Sequence, residues 1–397
     1  MKRAFRIIAI LAINAIVSLA LLEIGLRLIG PKLPPALASQ AQRVMTGQAY
    51  PQTWTQAWQQ NPDHLWILKP GITDALQYGS PSVSFRLSTI ELWENGGVGF
   101  RTRPIDYFVD AVVVGDSFAM CFTEQADCWV EQLRGFFTPP LGIVNLGQPV
   151  TGTTSHGRIL KSFGEPLKPP LILWQFFGND FNDDYGLAVF SKQIEALPNA
   201  APPEITRPPV LAWLEDHSVL FAVSEVVLTG QSGAMTAYER LFIKPHRVNI
   251  GKSVMQFGAG YEQQAMDMTR PENQIGLAYS RTAFQEAKAL ADTWGGQIVV
   301  VIIPTREEVY APLTEPIMGA EALDKLRSSR AAMLDLCSEL SLTCYDPLSR
   351  FQQESASGTM LYYTDDMHLN PLGNTILADG LAQWLKENDL VGTVGEP

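Results

Sequence analysis

An apolar run, Val112-Val113-Val114, stops at Gly115 and is followed by Asp116-Ser117. Far downstream stands Asp365-Asp366-Met367-His368. Together these segments hold a hydroxyl nucleophile, an imidazole base and a carboxylate to orient the base, the three parts of a serine acyl-transfer machine. A serine hydroxyl is a weak nucleophile until a base takes its proton. His368 is the expected base, because an unperturbed imidazole titrates near neutrality. Asp365, three residues before it, is expected to reach back to the ring, fix its tautomer and stabilise the imidazolium. Asp366 is the alternative orienter, since either carboxylate could point inward. Gly-Asp-Ser alone is also an ordinary turn or helix-cap sequence, so the reading of Ser117 rests on the set.

The elements that must position these groups are legible in outline. A β-branched run that stops at Gly reads as a central strand. The strand candidates are Ala111–Val114, Ile143–Leu146, Leu171–Phe177, Gln297–Ile303 and Leu342–Tyr345. Helical patterns lie between most of them, with Arg281–Trp294 and Arg327–Leu340 the clearest. That alternation predicts an α/β fold: a parallel sheet with helices on both faces. In such sheets ligands bind beyond the carboxyl ends of the strands. Ser117 follows the first strand, Asn145-Leu146-Gly147 closes the second, and Gly178-Asn179-Asp180 closes the third. Asp365-x-x-His368 follows the last strand, before a C-terminal helix.

Residues 187–270 interrupt the alternation. They open on a Pro-rich segment, Leu197 to Pro209, and turn apolar from Val210 to Val227. A structureless loop of that length is improbable, so an inserted subdomain is expected, as a lid or a membrane-proximal cap. The expected organisation is an anchor over 1–30, a Pro- and Gln-rich stalk and small N-terminal subdomain over 31–105, a catalytic domain over 106–186 and 271–397, and the insertion over 187–270. The 61–105 stretch carries mixed strand and turn signals, among them Val83–Leu87 and Asn95-Gly96-Gly97.

The four blocks, in order and content, resemble the SGNH hydrolase family, also called GDSL hydrolases, over roughly 106–185 and 275–390. The resemblance implies a flavodoxin-like sheet. It also implies an oxyanion hole made of the backbone N–H of Ser117, the backbone N–H of Gly147 and the side chain of Asn179. Loss of one such donor costs ~3 kcal/mol of transition-state stabilisation. Softer patterns resemble a membrane-anchored, extracytoplasmic branch that includes polysaccharide O-acetyltransferases. They are Leu22–Leu28, Gly99-Phe100-Arg101, and Ile303 to Tyr310. That likeness implies an acyl-ester or glycan substrate and a multispanning membrane acyltransferase as partner.

The N-terminus agrees with export. Lys2, Arg3 and Arg6 precede Ile7–Leu22, which carries no charge. As a helix, residues 7–28 would span ~33 Å, about a bilayer core. The basic flank predicts a cytoplasmic N-terminus and an extracytoplasmic remainder, in a bacterium an inner-membrane single-pass protein facing the periplasm. An uncleaved anchor is favoured over a signal peptide, whose best cleavage match, Ala36-Leu37-Ala38, lies well beyond the apolar run. Cys121 and Cys128, and Cys337 and Cys344, sit at equal spacing. An even count outside the cytoplasm suggests two disulfides, with local pairing the simplest of three; four buried thiols is the alternative.

With 397 residues, 46% hydrophobic and 18% charged, the chain can build a large core. A net charge of −12 argues against nucleic acid as a partner. No zincin or phosphate-loop motif is present, and no metal or cofactor is expected. Asp180, Asn182 and Asp184 open like a calcium loop, but Tyr185 and Ser191 stand where that loop needs Gly and Glu. A solvated acidic turn is expected instead. Trp174 and Phe176 are expected in the core, while Phe177 and Tyr185 are candidates to stack on sugars. The function expected is a serine esterase or O-acyltransferase acting on an extracytoplasmic glycan. The alternatives are a lipid-directed lipase or thioesterase, and a non-catalytic carbohydrate-binding or assembly protein.

Overall fold

The structure, a computed structural model, describes residues 2–46, 57–78, 82–93, 96–105, 108–198, 208–229, 246–251, 253–258 and 260–391. Asn95 of the expected turn, much of the Gln-rich stretch before residue 57, most of the Pro-rich segment before Pro209, and 230–245 of the insertion lie outside the described residues.

In chain order, helix α1 (Lys2–Ile29) is followed by α2 (Pro35–Met45). Six short strands come next: β1 (Trp58–Asn61), β2 (Leu65–Leu68), β3 (Ala75–Tyr78), β4 (Ser84–Leu87), β5 (Ile90–Glu91) and β6 (Gly99–Phe100). The first half of the central domain holds β7 (Ala111–Val114), the short helix α3 (Ser117–Met120), β8 (Ile143–Asn145), β9 (Leu171–Phe176) and α4 (Asp180–Phe190). Helices α5 (Pro209–His217) and α6 (Val219–Thr229) and the hairpin β10 (His246–Ile250) and β11 (Ser253–Phe257) lie within residues 187–270. The second half holds α7 (Pro271–Asp292), β12 (Gln297–Ile302), α8 (Arg306–Val309), α9 (Ala320–Leu340), β13 (Thr343–Tyr345) and α10 (Pro371–Glu387).

The five strands expected from the sequence form one sheet in the order β13-β12-β9-β7-β8. All four pairings are parallel. In order of appearance this is 2-1-3-4-5, the flavodoxin-like arrangement, whose direction of winding reverses between its first and third strands. Those strands here are β7 and β9.

Residues alternate between two cores because side chains in a strand point to opposite faces. Ala111, Val113, Leu171, Leu173, Val299 and Val301 face one cluster, which Trp129, Leu377 and Leu381 cover. Val112, Val114, Ile172, Trp174, Val300 and Ile302 face the other, which Ile159, Phe284 and Met333 cover. Burial on both faces explains why these strands read as continuous apolar runs rather than alternating ones.

The N-terminal strands are fastened to the central domain by Arg101, just after β6. Its buried guanidinium donates to the carbonyl oxygens of Met120 (3.2 Å), Cys121 (2.5 Å) and Thr123 (2.7 Å), and to that of Arg86 (3.0 Å). Burial pushes its pKa down to about 10. One side chain therefore joins β4 to the chain leaving α3. The disulfides are Cys121–Cys128 and Cys337–Cys344, the local pairing, and the first constrains the same segment.

Two expectations change. Part of the supposed stalk is helix α2, which packs against α6 through Ala41 and Val44. The 180–184 segment is the first turn of α4, with Asp180, Asp183 and Asp184 buried. It is not a solvated turn, because α7 crosses it so closely that a Cβ on Gly276 would lie 1.7 Å from the Phe181 carbonyl oxygen.

Arg101→Met keeps the stem but strands several buried carbonyls. We expect a loss of about 3 kcal/mol or more, seen in urea unfolding as a lower midpoint at unchanged slope.

Candidate active site

The chain turns sharply after β7. Asp116 caps α3, accepting the Phe118 N–H at 2.8 Å, and its own N–H donates to Gln175 Oε1 at 2.9 Å. Ser117 is thereby placed as the first residue of a helix, where backbone N–H groups have no partner within the helix. Among the described residues its N–H donates to no protein group.

Ser117 Oγ lies 2.7 Å from His368 Nε2. The other ring nitrogen, Nδ1, lies 2.5 Å from Asp366 Oδ1. The same carboxylate oxygen accepts the His368 backbone N–H at 2.9 Å. Phe122 stacks on the ring, with centroids 3.9 Å apart and an interplanar angle of 20°. Phe118 lies 4.7 Å away at 32°. The ring is thus fixed by both nitrogens and shielded by aromatic carbon.

The orienting carboxylate is Asp366, and the expectation for Asp365 is corrected. An aspartate accepting the N–H two residues ahead makes an Asx turn, which lays its carboxylate beside the ring of that residue. A reach of three residues suits a helix, but 364–367 is a bend and the helix begins only at Pro371. Asp365 instead accepts the Ser82 hydroxyl and, at 3.3 Å, the Ser82 N–H. It joins the active-site loop to the N-terminal subdomain.

Gly147 also differs from expectation. Its N–H donates to Asn145 Oδ1 at 2.9 Å, so in this arrangement it is not a free oxyanion donor. Its lack of a side chain serves packing: a Cβ there would lie 2.6 Å from the Met120 nitrogen. Asn145 Nδ2 in turn donates to the Ala119 carbonyl at 2.7 Å, tying β8 to α3. Gly152, which the sequence reading missed, sits on the same loop. A Cβ there would lie 2.4 Å from the Asp180 carbonyl oxygen, so only glycine lets the loop approach α4. The run Thr151-Gly152-Thr153 ahead of a helix was the available signal.

Asn179 precedes α4 and is buried. Its Nδ2 donates to Asp183 Oδ2 at 2.9 Å and to Tyr261 Oη at 3.3 Å, while its Oδ1 is buried without a partner. Burial, with the charges of Asp116 and Asp184, pushes the Asp183 carboxyl well above the usual range. Trp174, Phe176, Phe177 and Tyr185 are all buried, so Phe177 and Tyr185 are packing residues and not sugar platforms.

Behind Asp366 sits a buried cation, Arg306, which the sequence offered only as part of the Ile303 to Tyr310 pattern and with no role at the site. Arg306 pairs with Glu262 at 2.7 Å and Glu307 at 3.3 Å. Burial alone would raise the Asp366 carboxyl. His368 and its two hydrogen bonds, with the Arg306 charge, outweigh that and hold it below the usual carboxylate range. The carboxylate opposite the imidazole is thereby kept ionised. Glu307 also accepts the Gly258 N–H at 2.8 Å. The Gln256 N–H donates to the Thr364 carbonyl at 2.7 Å. The β10–β11 hairpin therefore braces the loop that carries Asp366.

A Ser–His–Asp hydrogen-bond chain thus stands at the carboxyl edge of a flavodoxin-like sheet. Residues 262–396 match the family model described as "SGNH hydrolase-like domain, acetyltransferase AlgX". Among solved structures, the chain is similar to an acetyl xylan esterase, AlAXEase, at 9% identity and a TM-score of 0.36, over 69% of this chain and 99% of that one. It is similar to an acetylxylan esterase from Geobacillus stearothermophilus at 11% identity and 0.36, over 72% and 96%. It is also similar to a lipase/acylhydrolase from Enterococcus faecalis at 10% identity and 0.37, over 70% and 97%. The comparison with curated proteins gives no match.

The buried carboxyls beside the site set a pH dependence of stability. Burial raises Asp184 to about 7, against hydrogen bonds from Ser280 and the Thr154 N–H that favour its charged form. Burial likewise raises Asp116 to about 6. A carboxyl raised by folding contributes stability that is complete below its unfolded pKa and lost as pH rises through the folded value. The contribution of these two carboxyls to stability should therefore fall between about pH 4 and 7. In Asp184→Asn that fall should be shallower by up to one proton, about 1.4 kcal/mol per pH unit, in urea titrations across the range.

Proposed function

We propose that this protein is a membrane-anchored serine enzyme that moves acetyl groups to or from the hydroxyls of an extracytoplasmic glycan. The observation that carries the reading is the unbroken chain from Ser117 Oγ to His368 Nε2 and from Nδ1 to Asp366. The family model's own description, an acetyltransferase, supports the acetyl group. The anchor reading is supported by Phe5–Lys32, a helix long and apolar enough to cross a membrane by length and composition.

In this reading Ser117 Oγ attacks the acyl carbonyl carbon while His368 Nε2 takes its proton. Asp366 stabilises the imidazolium that results. The oxyanion receives the Ser117 N–H, and an Asn179 N–H once that amide turns away from Asp183 and Tyr261. Collapse expels the donor alkoxide, which takes the proton back from His368, and leaves an acetyl ester on Ser117. An incoming hydroxyl, deprotonated by His368, then attacks that ester, and Ser117 Oγ leaves and takes the proton back from His368. A sugar hydroxyl completes transfer, and water completes hydrolysis. A multispanning membrane acyltransferase that presents the acetyl group is the partner this scheme expects.

The test uses the full chain in detergent micelles with an activated acetyl ester, followed by intact mass. We expect an acetyl adduct that Ser117→Ala lacks. Free acetate alone marks an esterase, and acetylated oligosaccharide marks a transferase. An equal adduct in Ser117→Ala, or a preference for long acyl chains, overturns the reading.

The two aspartates separate cleanly. Asp366→Asn should lower the rate of adduct formation by about 10³-fold or more, because the wrong tautomer is favoured. Asp365→Asn should change it by less than about tenfold, a difference of one RT ln 10 or ~1.4 kcal/mol. Stopped-flow release of the activated leaving group reads both.

A further inference from the structure

The helices of the insertion are fastened to the end of α1. Glu23, on α1, accepts the Val219 N–H at 3.0 Å, the Leu220 N–H at 2.8 Å and the Ser218 hydroxyl at 2.9 Å. It therefore caps the N-terminus of α6 from another helix, where a carboxylate is favoured. Arg27, one turn further along α1, pairs with Glu23 at 2.7 Å and donates to the His217 carbonyl, the end of α5, at 2.8 Å. A cation at a helix C-terminus is likewise favoured. On α2, the buried Arg43 pairs with Asp216 at 3.2 Å and donates to the Glu215 carbonyl at 2.9 Å. Val219, Ala222 and Val223 pack with Ala41 and Val44, with Leu26 of α1 alongside. These contacts make one small bundle from α1, α2, α5 and α6.

The bundle's outward face is apolar. Val210 (68% exposed), Trp213 (58%), Val227 (62%) and Leu228 (80%) are exposed on α5 and α6, with the exposed His217 stacked on Trp213, and Leu28 (76%) is exposed on α1. The acidic pair on α5 does not interrupt that face, because Glu215 is buried and Asp216 is held by Arg43. An exposed apolar surface of this kind on a folded unit marks a partner. Its position selects one. A span that enters the bilayer core near Phe5 crosses ~30 Å in about 20 residues. It therefore leaves the core close to Glu23, where α5 and α6 are fastened.

We propose that the α5–α6 hairpin is a foot in the outer leaflet of the bilayer, lying in the headgroup region with Val210, Trp213, Val227 and Leu228 against acyl chains. A short amphipathic helix pair with a tryptophan on its apolar side suits that zone. The foot turns a single helix, free to swivel, into a broad footing that sets the orientation of the catalytic domain over the membrane. The inference rests on α1 being a membrane anchor.

The test places the full chain in nanodiscs of phosphatidylcholine and phosphatidylglycerol, with or without lipid brominated high on the acyl chain. Bromine should quench part of the tryptophan emission, and that part should shrink in Trp213→Phe. Leu228→Asp should reduce quenching at Trp213 as well, while hydrolysis of a soluble activated acetyl ester is unchanged in both variants. Equal bromolipid quenching in the native chain and Trp213→Phe overturns the proposal. If Trp213 is then also shielded from aqueous acrylamide in native membranes, a protein covers the face in place of lipid. Alkaline carbonate extraction distinguishes the two levels. Release of the chain overturns the anchor and the foot together, whereas retention with no Trp213-dependent quenching overturns the foot alone.

Discussion

The hydrogen bond between Ser117 Oγ and His368 Nε2 joins residues 251 positions apart, and the rest of the architecture makes it possible. A bond of this kind has directional demands of a few tenths of an ångström. Two loops far apart in the sequence can meet them only if both are held by rigid elements. On the Ser117 side the holding is done by β7, the Asp116 cap and Asn145, which grips the Ala119 carbonyl. On the His368 side it is done by the Asx turn at Asp366 and by Asn370, which caps the final helix by accepting the Gly373 N–H.

Segments outside the central sheet are recruited to the same task. Arg101 fixes the chain that leaves α3, and Ser82 holds Asp365 from the N-terminal subdomain. The hairpin at the end of the insertion pairs with Thr364, next to the two aspartates. The insertion thus has two parts with different attachments. Its hairpin braces the active-site loop, and its helices join the N-terminal helix.

Burial of charge is the recurring cost of this design. Asp116, Asp180, Asp183 and Asp184 cluster under the site, each with its ionised form disfavoured by the loss of water. Asp366 is the exception, because an imidazole and a guanidinium face it. Carboxylates of the same type are thus driven in opposite directions by their surroundings, and the one in contact with the base is the one kept ionised.

The sequence by itself determined the five strands, their parallel character and the location of Ser117 and His368. Unbroken runs such as Val112–Val114 and Ile298–Ile302 can be buried on both faces only in a sheet covered twice, and local chemistry marks the turns that end them. It also determined the apolar N-terminal helix, through the uncharged stretch behind three basic residues. Which aspartate orients the ring was close to legible, since the two-residue spacing of an Asx turn is a local pattern. The three-dimensional structure decided the rest. Whether the Gly147 N–H is free depends on where the Asn145 side chain turns, and whether Asp180–Asp184 meet water depends on how closely α7 crosses α4. The Arg101 and Arg306 contacts and the joining of Glu23 to α6 likewise link residues far apart in the chain. Such pairings are fixed by packing between distant segments, and no periodicity or spacing along the chain encodes them.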